Sequence, residues 1–292
     1  MTVWPTDYRE AWTLRAPVQR RGVGLHSGAD CRVRLEPFDQ PGLHVAWFDA
    51  SGNDRPLRLS PHDVSDTRLC TALQLDQRRL ATVEHLLAAL AGTGITHGLL
   101  RVEGEEIPVL DGSALPWVEA IAEAGLQPLN QPAPAPVVHA TISRQAGASF
   151  AVALPAETLL VGAAIEFPQE AIGRQVFSLA LTPDRFVAEI APARTFGFRE
   201  QVEQLRAAGL IRGGDLDNAL VCDGDRWLNP PLRYPDEPVR HKLLDLLGDL
   251  ALVGLPQAHV FAYRGSHGVH TALAAAIAEP GSFERSAPAP RL

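Results

Sequence analysis

The chemistry of this chain is concentrated in one stretch, which reads Asp236-Glu-Pro-Val-Arg-His-Lys-Leu-Leu-Asp-Leu-Leu-Gly-Asp249. Its apolar spacing, with Pro238 near the start, predicts a helix. His241 and Asp245 then lie one turn apart on one face, where an imidazole and a carboxylate can hold a divalent metal such as zinc. Lys242 lies beside that face and is the only lysine in the chain, which indicates a task for a compact, flexible ammonium.

A second pair of ionisable residues lies in an almost wholly apolar stretch, Ala81-Thr-Val-Glu-His-Leu-Leu-Ala-Ala-Leu-Ala-Gly92. Thr82 is expected to cap a helix that ends at Gly92, which puts Glu84 and His85 in its first turn. Ionisable groups at the start of a buried helix need partners or carry chemistry. A structural pair that satisfies itself is the alternative.

These two helices would form one site if they packed together. His85 would then meet His241 and Asp245, and three such ligands with a fourth position open are typical of catalytic zinc. That metal would polarise a carbonyl and activate a water, and Glu84 could accept the proton. Lys242 is one candidate for the group that serves the leaving amine and the oxyanion.

The other candidate lies in a glycine-framed segment, Arg264-Gly-Ser-His-Gly-Val-His270, which is expected to be a loop after a strand. His267 would be held there but exposed, and an ordinary loop residue is the alternative. Asp249, one turn beyond Asp245, could orient this histidine and keep it charged by accepting a hydrogen bond.

The elements that must position these residues occur twice. A helix, a strand and a second helix follow one another in each half, and each first helix opens with a histidine, which indicates a duplicated α+β unit. The sets are helix 84–92, strand 97–103 and helix 113–124, and helix 240–248, strand 258–263 and helix 269–278. A site at the seam between the units is expected, because substrate clefts favour such positions.

The domain boundaries follow from composition. The stretch 128–136 is rich in proline, which opposes a helix or an interior strand, and it is interpreted as a linker. The predicted parts are an N-terminal domain 1–127, this linker, a C-terminal domain 137–280 and a loose tail 281–292. Residues 12–36 are expected to form one hairpin around a glycine-rich turn that carries His26.

The totals exclude some functions. The chain has 292 residues and a net charge of −8, which argues against a nucleic-acid-binding face. Its three scattered cysteines indicate a reducing compartment. No apolar run is long enough for a membrane span, and the N-terminus lacks a secretory pattern. A cytoplasmic protein, taken to be a monomer, with a small-molecule substrate is expected.

Several separated motifs resemble one enzyme family, UDP-3-O-acyl-N-acetylglucosamine deacetylase, the zinc enzyme of the committed step of lipid A biosynthesis. The resemblance covers about residues 22–278. The motifs are Thr82-Val-Glu-His-Leu with Ala89-Leu-Ala-Gly, Glu106-Ile-Pro-Val-Leu-Asp-Gly-Ser-Ala, Ala193-Arg-Thr-Phe-Gly-Phe and Val239-Arg-His-Lys-Leu-Leu-Asp-Leu-Leu-Gly-Asp.

The resemblance implies a role for each matching residue. Zinc, or alternatively Fe²⁺, would be held by His85, His241 and Asp245. Glu84 would be the general base, and His267, paired with Asp249, would be the charged histidine that stabilises the oxyanion and protonates the leaving amine. Thr195 would help to hold the tetrahedral intermediate, Lys242 would contact the substrate, and Leu69, Cys70 and Phe196 would lie around the sugar.

The resemblance also implies a fold: two similar α+β domains, each a β-sheet with helices on one face, and the helices packed between the two sheets. A βαβ insert at about 194–222 would form an apolar passage for the acyl chain. Its expected lining is Phe196, Phe198, Leu205, Ala208, Leu210 and Ile211.

One loop departs from the family pattern. The better-known members place a glycine immediately before the catalytic histidine, whereas Ser266 stands there in this chain. His270 is therefore the alternative to His267 for that role.

Two other functions fit the same residues. A zinc amidase for a different acetylated sugar or small amide would share the metal but lack an acyl passage. A binding module would use the same residues as a structural metal site or as buried polar groups, with no use for Glu84.

Overall fold

The computed structural model describes residues 2–48, 55–229 and 231–279, and these form two α+β units of matching topology. The α+β class expected from the sequence is confirmed. The predicted tail 281–292 lies outside the described residues.

The first unit contains a five-stranded sheet, a small three-stranded sheet, a two-stranded ribbon and two α-helices. Its elements are β1 (Glu10–Leu14), β2 (Val18–Val23), β3 (Asp30–Glu36), β4 (Gly42–Trp47), β5 (Leu57–Arg58), β6 (Val64–Asp66), β7 (Ala72–Leu75), β8 (Arg78–Leu80), α1 (Glu84–Gly92), β9 (His97–Glu103), α2 (Leu115–Ala124) and β10 (Leu126–Pro132).

The second unit also has one five-stranded and one three-stranded sheet, with four α-helices. Its elements are β11 (Ile142–Ala146), β12 (Ser149–Pro155), β13 (Leu160–Glu166), β14 (Arg174–Ala180), α3 (Pro183–Glu189), β15 (Phe196–Phe198), α4 (Arg199–Ala207), β16 (Leu220–Asp223), β17 (Arg226–Trp227), α5 (Glu237–Leu250), β18 (Ala258–Tyr263) and α6 (His267–Ala278).

The two large sheets have the same strand order. The first runs β2-β3-β9-β4-β5 and the second runs β11-β12-β18-β13-β14. In the first sheet β9, the strand after α1, lies next to β4 and runs parallel to it. In the second sheet β18, the strand after α5, lies next to β13 and is parallel to it in the same way. The remaining pairs are antiparallel. The topology therefore agrees with a duplicated unit.

The helix α1 of the first unit and the helix α5 of the second unit pack against each other. Every residue of α1 is buried, and α5 buries all of its residues except Arg240 and Lys242. A helix that is apolar on all sides must be covered on all sides, and α1 is covered because it also contacts α2 and α3. The contact of α1 with α5 brings the polar starts of both helices to one place.

Two local predictions in the first unit are wrong. The strand that begins the predicted 12–36 hairpin, β1, pairs with β10 instead, and the hairpin consists of β2 and β3 alone. Thr82 does not cap α1, because its φ is +58° and the cap position is Val83.

The segment 128–136, interpreted as a linker, overlaps a strand, because β10 spans residues 126–132. Proline lacks a backbone N–H, but in a two-stranded ribbon each strand has a free edge where that loss is tolerated. Pro128 and Pro132 lie in β10 opposite Trp12 and Glu10. β10 thus pairs with a strand of the first unit, and the domain boundary itself stays a prediction.

Among the described residues, no helix combines the length and apolarity that crossing a membrane requires.

We predict that Gly248→Ala destabilises the protein. A Cβ at Gly248 in α5 would overlap the backbone carbonyl of Glu84 in α1, so the helices would have to separate. Overpacking of this kind costs about 1–3 kcal/mol, which urea unfolding measures. Gly197→Ala is the control, because a Cβ there meets open space, and its effect should stay within ~0.5 kcal/mol. Equal stabilities for the two variants would contradict this packing.

Candidate metal centre and catalytic site

Three possible metal ligands from the two units meet at the seam between α1 and α5. His85 is the second residue of α1, and His241 and Asp245 lie one turn apart on α5. Their ligand atoms all lie within 4.8 Å of one another. The Asp245 Oδ1 atom is 3.7 Å from His85 Nε2 and 3.3 Å from His241 Nε2. The structure thus brings together the three residues that the sequence predicted as ligands.

The hydrogen bonds and charges of these residues fit a divalent metal. Asp245 Oδ1 is buried without a hydrogen-bond partner among the described residues. His241 Nδ1 lies 3.0 Å from the carbonyl oxygen of Ala193, so it carries the proton and leaves the Nε2 lone pair free. Burial and the neighbouring His241 lower the pKa of His85 to about 3. Two neutral imidazoles and an anionic oxygen are therefore available at one point.

Lys242 contacts only one of the two carboxylate oxygens of Asp245. Its Nζ donates to Oδ2 at 2.7 Å and leaves Oδ1 for another partner. Burial alone would raise the pKa of Asp245, but the Lys242 ammonium and the neighbouring His241, His267 and His85 together outweigh it and hold this pKa well below its usual range. Burial lowers the pKa of Lys242, but Asp245, together with Asp249 and Glu84, more than compensates and raises it. Both groups are therefore charged.

Glu84 is the first residue of α1 and is also buried. Its Oε2 accepts a hydrogen bond of 3.0 Å from the backbone N–H of Thr71. Burial raises the pKa of Glu84 to about 7, which suits a carboxylate that exchanges protons near neutral pH.

His267 and His270 share one carboxylate oxygen. Asp249 Oδ2 lies 2.9 Å from His267 Nδ1 and 3.1 Å from His270 Nδ1. His267 lines the cavity beside the ligands and places its Nε2 4.0 Å from Asp245 Oδ2, whereas His270 is fully buried. Burial lowers the pKa of His267, but Asp249, with Asp245 and Glu84, outweighs it and raises this pKa to about 9. Of the two histidines, His267 is the one that faces the cavity.

The predicted loop position of His267 is wrong. The residue is the first of α6, and Ser266 is in the extended conformation that precedes the helix. Glycine on both sides suggested a loop, but Gly268 lies inside the first turn of α6, where tertiary contacts override its low helix propensity.

A cavity of about 200 Å³ lies in front of these groups. Most of the predicted site residues line it, namely Leu69, Glu84, His85, Thr195, Phe196, His241, Lys242, Asp245 and His267. Asp249 lies behind His267, and Cys70 lines an adjacent cavity of about 380 Å³ to which Leu69 also contributes. The two cavities thus meet at Leu69.

The insert at 194–222 has the expected βαβ form, because β15 and β16 are parallel and α4 joins them. Phe196 and Phe198 line the first cavity, where Phe167 packs on both rings at centroid distances of 5.6 and 5.5 Å. The second cavity is lined by Leu205 and Leu210.

Two of the six residues that were expected to line the acyl passage do not line either cavity. Ala208 is exposed and Ile211 is half-buried, and neither contributes to the two cavities. Ala208 is the residue that follows the last turn of α4.

A buried ion pair holds the segment that carries Thr195. Glu237, fully buried at the start of α5, accepts from the backbone N–H and the guanidinium of Arg194 and from the backbone N–H of Arg233. The Thr195 N–H donates to the Gly112 carbonyl at 2.8 Å. The same segment provides the Ala193 carbonyl that orients His241, so this pair indirectly supports a candidate metal ligand.

Sequence reasoning missed three residues that shape the site. Phe167 packs on the insert, Thr71 bonds two carboxylates, and Glu106 accepts from Thr82 and from the backbone of His26 and Ser27. Glu106 gave a signal, because a glutamate beside Ile-Pro-Val-Leu is unusual in a buried stretch. Threonine and phenylalanine are too common for their types alone to have marked Thr71 and Phe167.

Comparison with known proteins gives a consistent result. Residues 11–279 match the family model described as "LpxC: UDP-3-O-acyl N-acetylglycosamine deacetylase". The chain is 49% identical over 270 residues to a UDP-3-O-acyl-N-acetylglucosamine deacetylase of Thermosynechococcus vestitus, covering 91% of this chain and 93% of that one. It is 45% identical over 274 residues to the Synechocystis protein of the same name, covering 91% and 98%.

A plant protein is also similar. The chain is 39% identical over 284 residues to an Arabidopsis thaliana protein named "Probable UDP-3-O-acyl-N-acetylglucosamine deacetylase 1, mitochondrial", covering 90% of this chain and 86% of that one.

We predict that His241→Ala loses bound metal. The substitution removes one of three ligands, so zinc bound after dialysis should fall from about one ion per chain to near zero. The matched control is His62→Ala, which replaces an exposed histidine and should keep its zinc. Metal analysis of both folded variants makes the measurement, and full zinc occupancy in His241→Ala would refute the ligand assignment.

Proposed function

The chain belongs to the UDP-3-O-acyl N-acetylglycosamine deacetylase family, and from that membership we propose the reaction that it catalyses. It hydrolyses the N-acetyl amide of UDP-3-O-(3-hydroxyacyl)-N-acetylglucosamine to acetate and the free amine, in lipid A biosynthesis. The observation that carries this proposal is the convergence of His85, His241 and Asp245 on one cavity, with Glu84 and His267 beside them.

Zn²⁺ is the proposed metal, with Fe²⁺ as the alternative. Two imidazoles and one carboxylate suit zinc with a coordination position left for chemistry. When bound, such a metal polarises the amide carbonyl and makes water nucleophilic near neutral pH.

Glu84 is the proposed general base. It accepts the proton of the attacking water, for which it must be ionised, and its raised pKa leaves it a stronger base than an exposed glutamate. The Thr71 N–H holds Oε2, so the carboxylate keeps one orientation in the cavity.

His267 is the proposed acid. Asp249 keeps it protonated, so it can stabilise the oxyanion by its charge and then donate its proton to the leaving nitrogen. Thr195 lines the same cavity and would hold the tetrahedral intermediate by its hydroxyl. Lys242 would add positive charge at the substrate while its contact with Asp245 fixes its position.

The substrate would extend through both cavities. Leu69, Cys70 and Phe196 would surround the sugar, and the acyl chain would follow the apolar side chains Leu205 and Leu210. The adjoining cavity, with Leu205 and Leu210 on one wall, gives an acylated substrate room that a small amide would not need. The monomeric state and the cytoplasmic location remain predictions from the sequence.

We predict that the purified protein releases acetate from the acylated UDP-sugar. UDP-N-acetylglucosamine without the acyl chain is the comparison substrate and should react much more slowly. Glu84→Ala should keep its metal but lose turnover by ~10²–10⁴, the usual contribution of a general base. Equal rates on both substrates would favour the amidase alternative, and unchanged turnover in the variant would remove Glu84 from the mechanism.

We predict a bell-shaped dependence of kcat/KM on pH. Glu84 must be deprotonated, so activity rises as pH passes its pKa, and His267 must be protonated, so activity falls as pH passes its own. The metal-free pKa values are about 7 and about 9, and a bound cation lowers both because it adds positive charge. His267→Gln should remove the alkaline limb, and a profile that keeps this limb would assign it to another group.

A further inference from the structure

Thr71 lies between the two halves of the proposed machinery. It is fully buried and precedes β7 in the first unit. Its backbone N–H donates to Glu84 Oε2 at 3.0 Å, and its hydroxyl donates to Asp249 Oδ1. One residue thus contacts the carboxylate of the proposed base and the carboxylate that holds the proposed acid.

The hydroxyl of Thr71 holds one of the two carboxylate oxygens of Asp249. An ionised carboxylate only accepts hydrogen bonds, and Oδ2 is already shared by His267 and His270. Oδ1 has Thr71 as its partner, and Asp249 is fully buried. Without this donor Oδ1 would have no hydrogen bond from the described residues, and the two histidines on Oδ2 alone would orient the carboxylate.

Thr71 also crosses the seam between the units. Asp249 belongs to α5 of the second unit, whereas Thr71 lies next to β7 in the first unit. The carbonyl of Thr71 also accepts a hydrogen bond of 3.3 Å from the N–H of Val83, which precedes α1. A bond from Thr71 to Asp249 therefore links the start of α1 to the histidines of α6.

We propose that Thr71 is a positioning residue for the deacetylation, acting through Asp249 on His267. The inference rests on the proposed function, because it assigns Thr71 to the acid of that reaction. Thr71 does not touch the substrate itself, and it is absent from the lining of the cavity that holds the ligands.

The test compares two substitutions of Thr71. Thr71→Val keeps the shape and the backbone N–H but removes the hydroxyl, and Thr71→Ser keeps the hydroxyl. We expect Thr71→Val to lower kcat by ~10–100-fold, as for other residues that orient a site group, with KM within ~2-fold and zinc content unchanged. Thr71→Ser should recover at least about half of kcat, because the donor remains. Wild-type kcat in Thr71→Val would overturn the inference.

Thr93→Val is the matched control. Thr93 is also fully buried and donates its hydroxyl, to the carbonyls of Ala89 and Leu90 at the end of α1. Losing this hydroxyl should change stability but leave kcat within ~2-fold. An equal fall in kcat for Thr93→Val and Thr71→Val would mean general loss of packing and would overturn the inference.

A double substitution separates positioning from structural damage. In single-turnover assays, Thr71→Val should cost less than ~2-fold when added to His267→Gln, because the residue through which it acts is gone. A full additional loss in that background would overturn the inference. If the parent protein releases no acetate, the proposed function itself fails. An active parent with a fully active Thr71→Val leaves the function standing and removes only the role of Thr71.

Discussion

The contact between α1 and α5 is the constraint on which the rest of the structure depends. Neither helix carries a complete site: α1 provides Glu84 and His85, and α5 provides His241, Asp245 and Asp249. Gly248 allows the backbone of α5 to approach the carbonyl of Glu84, so the polar residues of both helices reach one cavity. The large sheets behind the helices supply the apolar burial that offsets the cost of keeping these ionisable groups away from water.

Burial in this seam separates the tasks of similar side chains. Glu84 has few charge-stabilising partners and its pKa rises, whereas Asp245 faces Lys242 and its pKa falls. His85 becomes a neutral imidazole, while His267, against Asp249, becomes a strong base that stays protonated. The site therefore holds a carboxylate and an imidazole with a raised pKa, together with a carboxylate and an imidazole with a lowered pKa, within a few ångströms. Amide hydrolysis needs such a separation of acid and base tasks.

The meeting of the three candidate ligands with Glu84 could be predicted from the sequence because helical spacing fixes neighbours over short distances. His241 and Asp245 are four residues apart, and Glu84 adjoins His85, so only the packing of two helices had to be inferred. The role of Thr71 could not be predicted, because its two bonds join residues 13 and 178 positions away. Local propensity also failed where tertiary contacts override it, as in the helical start of α6 at His267 and the proline-bearing strand β10.

The matching topology of the two sheets has a consequence for how such a site can arise. In a symmetric dimer of identical subunits, every residue near the twofold axis occurs twice, so a base on one side is repeated on the other. Two copies fused in one polypeptide are free to diverge. Here one copy carries the proposed base and the other the proposed acid, and a reaction that moves a proton in one direction gains the asymmetry that identical partners could not supply.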